Sequence, residues 1–153
     1  MILPEITERL SRLLNLDRSS LFRDEVVTIE PRSLSDIERG WVQSMLNASV
    51  GWEAADISET KVIAEGPNGE GISFVLQAPV PENPAAKAVR NSFCDLWIQT
   101  TDQLTINVQL SEWEGRLQEL YVLIIDGKHP RRLIRTMPDR WVEISREAIG
   151  FGA

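Results

Sequence analysis

Between Leu104 and Ser111 the chain alternates without a break. Leu104, Ile106, Val108 and Leu110 are apolar, and Thr105, Asn107, Gln109 and Ser111 between them are polar. Successive side chains of a strand point to opposite faces, so such a run is satisfied by an antiparallel strand with one face in a core and one in water. Glu112-Trp113-Glu114-Gly115 turns it, with Gly115 free to take positive φ. Arg116–Ile125 returns and becomes apolar throughout Leu120–Ile125, as a central strand does.

Further strands fit around this pair. Phe93–Thr100 precedes it, turned by Thr101-Asp102-Gln103. Thr60–Glu65 and Ile72–Gln77 flank Gly66–Gly71, whose glycines, proline and Asn-Gly step mark a hairpin. The spacing predicts an antiparallel meander of about five strands. A shorter strand is expected at Glu25–Ile29, stopped by Pro31, and a proline-rich surface loop from Pro79 to Pro84.

Helical periodicity is confined to the N-terminal third. Ile6, Leu10, Leu13 and Leu14 form one stripe of a Pro4–Leu14 helix. Ser35 followed by Glu38 forms a capping box, in which each side chain accepts the other residue's backbone N–H. Ile37, Trp41, Val42, Met45 and Leu46 give that second helix its apolar face, ending near Asn47. The expected fold class is therefore α+β: two N-terminal helices packed on an antiparallel sheet, residues 1–153 forming a single domain.

At 153 residues one core can be buried without staples, and no apolar run nears the roughly 20 residues needed to span a bilayer. The N-terminus lacks the pattern of a signal peptide, so a cytoplasmic location and no membrane partner are expected. Cys94 is the only cysteine and His129 the only histidine, which leaves no disulfide and no ordinary zinc set. Cys94 lies in an apolar strand and reads as a core residue. His129 sits among Lys128, Arg131 and Arg132 and reads as a solvated loop group. No phosphate loop, calcium loop or nucleophile elbow occurs, so no cofactor, metal or catalytic residue is expected and the chain reads as a non-enzyme.

Charge and aromatic residues are the remaining signals. The net charge is −7, and residues 1–127 alone carry −10 against +3 for residues 128–153. An acidic body repels phosphate and attracts basic proteins. Trp52 and Trp113 fall in a loop and a turn beside Glu53, Glu112 and Glu114, where an indole among carboxylates suits a cationic partner. Glu119 is expected on one sheet face with Leu117 and Tyr121, as a ligand contact or a cross-strand ion-pair partner. Arg131 and Arg132, with Lys128, Arg135, Arg140 and Trp141, form a basic cluster. It can grip an acidic group or close back on the acidic body, and the overall pI near 4.8 weighs against nucleic acid.

Two segments taken together resemble a group of small uncharacterised bacterial α+β proteins. These are Leu34–Glu38 leading into Ala55–Val62, and Glu114–Tyr121 followed by Asp126-Gly127, where Leu117-Gln118-Glu119-Leu120 supplies a Leu-x-Glu-Leu pattern after a glycine turn. The likeness covers about half the chain and extends more loosely to proteins that neutralise bacterial toxins. It implies an architecture and no active residues. The function expected is a non-catalytic binding protein, immunity- or antitoxin-like, with a basic protein partner. A small-molecule pocket domain and a homo-oligomer subunit stand as alternatives.

Overall fold

The computed structural model describes residues 25–85, 92–101, 103–125 and 142–150. The expected Pro4–Leu14 helix and the basic cluster from Lys128 to Trp141, His129 included, lie outside them.

The architecture overturns the expected fold class. In place of two helices on five strands there is one seven-stranded antiparallel sheet, with a single helix among the described residues. The strands are β1 (Val27–Ser33), β2 (Lys61–Asn68), β3 (Gly71–Gln77), β4 (Ser92–Thr100), β5 (Thr105–Trp113), β6 (Arg116–Ile124) and β7 (Glu143–Ile149). Their order across the sheet is β1-β2-β3-β6-β5-β4-β7, every neighbouring pair antiparallel. The meander breaks after β3, which pairs with β6, and β4 to β6 run back in reverse order.

Helix α1 (Asp36–Asn47) starts where the sequence places it. Ser35 Oγ accepts the Glu38 N–H at 3.1 Å, and the Glu38 carboxylate accepts the Ser35 N–H at 2.8 Å. The helix lies against β4, β5 and β7 and drives Trp41, Val42, Met45 and Leu46 into the core. Rows of facing residues complete that core, including Cys94–Leu110–Leu120–Phe74 and Leu96–Val108–Val122–Ile72. Leu104, Ile106, Val108 and Leu110 are all buried, as their alternation requires.

Other differences have identifiable causes. β1 continues through Pro31, because the proline sits on an edge strand at a register shift between Thr28 and Arg32, where no ladder N–H is needed. β7 lies within the net-basic segment 128–153, where local pattern marks no strand. As an edge strand, Glu-Ile-Ser-Arg-Glu-Ala-Ile packs only Ala148 on the core, too little apolar surface to impose a visible period of two.

A bulge at Gln118 changes the phase of β6. Ser111 faces Glu119 while Glu112 faces Leu117, so one extra residue sits in β6. Leu117 is thereby turned into the core, away from the face shared by Glu119 and Tyr121. A similar shift between Val62 and Ala64 brings Glu65 onto the core face beside Phe74.

That second shift assembles a charged corner where β1, β2 and α1 meet. Arg32 donates to both Glu38 carboxylate oxygens at 2.8 and 2.9 Å, lies 3.6 Å from Glu65, and stacks over Phe74 at 5.8 Å. Burial pushes the Glu38 carboxyl up, yet the bonds from Arg32 and Ser35 together with the Arg32 charge hold it below the ordinary carboxylate range.

Candidate partner-binding surface

The β5–β6 hairpin closes in a two-residue turn at Glu114-Gly115, with Trp113 facing Arg116. Both turn residues take positive φ, 50° and 81°, the backbone of a type I′ turn whose twist matches the strands. This is tighter than the Glu112–Gly115 turn expected, and it separates residues grouped together by sequence. Trp113 and Glu114 are exposed at the tip, whereas Glu112 is buried, its carboxylate accepting the Gly115 N–H at 3.3 Å. Glu112 holds the turn and offers no surface charge.

Trp52 is corrected in the same way. Beyond α1 the chain makes successive turns through Gly51, at φ 84°, and these tuck the indole into the core at 5% exposure. Glu119 is half-buried on the sheet face away from the helix, opposite Ser111 and Val75. That face is drier than alternation implies, since Asn107 is buried in it. Arg131 and Arg132 lie outside the described residues.

The tip is held by residues to which the sequence draws no attention. Glu82, between Pro81 and Pro84, is buried. One carboxylate oxygen accepts the Leu117 N–H at 3.2 Å, and the other accepts the Thr60 hydroxyl at 2.9 Å. The Asn83 N–H donates to the Gly115 carbonyl at 3.0 Å, and its side-chain amide donates to the Gly51 carbonyl at 2.7 Å. Arg116 reaches the Ala78 carbonyl at 3.1 Å. Three separate loops are thus pinned to one end of the sheet. A buried carboxylate flanked by prolines leaves no trace in local pattern, because only the tertiary fold brings Thr60 and Leu117 to it.

Each of these loops presents an apolar side chain to solvent: Val50, Val80 and Trp113. Glu53, Asp56, Glu59 and Glu114 on the same loops are exposed as well. The Ser58 N–H, 2.9 Å from its carboxylate, holds the Asp56 carboxyl below its usual range. The three loops that carry these side chains are tied together by hydrogen bonds through Glu82, Asn83, Glu112 and Arg116. Among the described residues no group of three or more His, Cys, Asp or Glu is placed to hold a metal. No helix there is long and apolar enough to cross a membrane.

The chain matches no protein-family model, no curated protein and no solved structure.

Proposed function

We propose that this protein is a non-catalytic binding protein of the immunity or antitoxin type, acting in the cytoplasm and capturing a basic protein through the β5–β6 hairpin tip. The observation that carries the reading is the exposed Trp113-Glu114 pair on a two-residue turn braced by Glu82, Asn83 and Glu112. Interface anchors are typically aromatic side chains with their conformation fixed before binding, surrounded by polar groups that steer the encounter. Val50 and Val80 are exposed on the loops tied to this tip, and the Glu114 carboxylate beside the indole fits cations, which lie well on an indole face.

The test is capture of partners from the native host on immobilised wild-type protein, with Trp113→Ala and Glu114→Lys alongside. A basic protein should be retained by the wild type and released faster from Trp113→Ala. Glu114→Lys should instead slow association and flatten its salt dependence. Equal retention of that protein by all three would refute the hairpin tip as the contact. Recovery of nucleic acid alone would refute the basic-protein reading altogether.

A further inference from the structure

An open sheet leaves two rows of backbone donors and acceptors at its edges, and natural proteins usually blunt both. Here the two edges differ. β1 carries Pro31, which has no N–H to offer, its register shifts between Thr28 and Arg32, and its Val27 and Ile29 are half-buried. β7 has no proline, and among the described residues no strand lies on its outer side. Ile144 and Ile149 on it, and Val142 just before it, are all more than half exposed.

The free edge is also held in place. Arg146 Nη1 donates to the Gly40 carbonyl at 3.1 Å and to Ser44 Oγ at 2.6 Å, which ties the middle of β7 to α1. Immediately after the strand, Gly150 lies against the end of that helix, so close that an added Cβ would fall 1.9 Å from the Ala48 carbonyl oxygen. A strand docking on β7 therefore meets an edge already ordered, which lowers the entropic cost of association.

The charges of β7 select how it can meet a copy of itself. Antiparallel pairing about a two-fold axis normal to the sheet has one residue at its centre. With Ser145 there, Glu143 would face Glu147 of the second copy, and with Glu147 there, Glu147 would face itself. Like charges directly opposite are destabilising. With Arg146 at the centre both clashes vanish. Ser145 then faces Glu147 of the second copy, Ile144 faces Ala148, Glu143 faces Ile149, and Val142 faces Gly150. The two central guanidiniums are not free, because each donates through Nε and Nη2 to its own Glu143 and is drawn towards its own helix. The register shift of β7 against β4 falls before Ser145, so the three central pairs are regular.

We propose that two copies of this chain pair through β7, antiparallel about an axis at Arg146, joining their seven-stranded sheets edge to edge. The contact is one strand wide and belongs with weak interfaces of less than about 1,200 Å². Each copy carries a net charge of −7, so salt should tighten this association, whereas it loosens capture of a basic protein. The inference does not rest on the function proposed above.

The test is sedimentation equilibrium of the full chain from about 10 μM to 1 mM, the range of a weak interface, at low and high salt. The mean mass should rise from 17.3 kDa towards twice that value, and further at high salt. Ile144→Lys, at a position 68% exposed in the monomer, should leave the unfolding midpoint unchanged and keep the chain monomeric, because an edge lysine blocks strand pairing. The double variant Ser145→Cys, Glu147→Cys reports the register independently. Directly opposed Cβ atoms lie about 4.5–5.5 Å apart, so mild oxidation should link it into dimers faster than Ser145→Cys alone. Cys94 is buried and should not compete. A mass fixed at 17.3 kDa throughout, a dimer indifferent to Ile144→Lys, or faster linkage of Ser145→Cys alone would overturn the proposal. Trp113→Ala should dimerise as the wild type does, so failure of the hairpin tip as a partner contact is separable from failure of the edge.

Discussion

Arg32→Met should cost more stability than Glu38→Gln, although both break the same ion pair. The Glu38 side chain is only 9% exposed and the Arg32 side chain 34%. Removing Arg32 leaves a buried carboxylate with the Ser35 N–H as its remaining hydrogen bond at that corner. An uncompensated buried charge of this kind costs about 3 kcal/mol. Removing the charge of Glu38 leaves a guanidinium that can turn to water and to Glu65, 3.6 Å away, while the new amide oxygen still accepts from Ser35. That loss should be about 1 kcal/mol, one net hydrogen bond with a charged partner weakened by exposure. Urea unfolding of the two variants, with the double variant closing the cycle, measures the difference. The wild type carries a pH signature of the same pair. The Glu38 carboxyl is lowered on folding, so its contribution is complete above the unfolded carboxylate range, from about pH 5 upward. It is lost as pH falls through the lower folded value, so stability should drop with acidification below about pH 5, and less so in Glu38→Gln. If Arg32→Met proved no more costly than Glu38→Gln, the carboxylate would not depend on Arg32, and the argument from burial would fail.

Four further outcomes test the core, the helix and the tip. Val108→Asp should destabilise the fold by several kcal/mol, because an unpaired charge would enter a fully buried site; an unmoved denaturation midpoint would refute the strand phase. Gly71→Ala should be strongly destabilising, its Cβ falling 2.5 Å from the Val122 carbonyl and 2.7 Å from the Tyr121 ring. Gly40→Ala should raise stability by about 0.5–1 kcal/mol in urea unfolding, and a loss there would show that the helix needs the glycine. Glu82→Ala strands the Leu117 N–H and the Thr60 hydroxyl and should cost about 2–4 kcal/mol, whereas Trp113→Ala, which removes an indole only 37% exposed, should cost about 1–2 kcal/mol.

The sequence by itself determined those features whose cause is local. Ser35 and Glu38 start α1 because the capping box is complete within four consecutive residues. The alternation from Leu104 to Leu110 defines the buried face of β5 because the pleat has a fixed period of two. Cys94 is buried because its strand is apolar on the side it faces. The tertiary structure alone decided what depends on distant partners. A single extra residue at Gln118 turned Leu117 inward, since a one-residue slip exchanges the two faces of a strand. Trp52 and Glu112 became interior because the turns around them fold back on the sheet, while Trp113 and Glu114 stayed outside. The pairing of β3 with β6 and the edge strand β7 were likewise invisible to local pattern. Strand order is chosen by how whole hairpins share one core, and an edge strand with only Ala148 packed on that core records little of the choice in its residues.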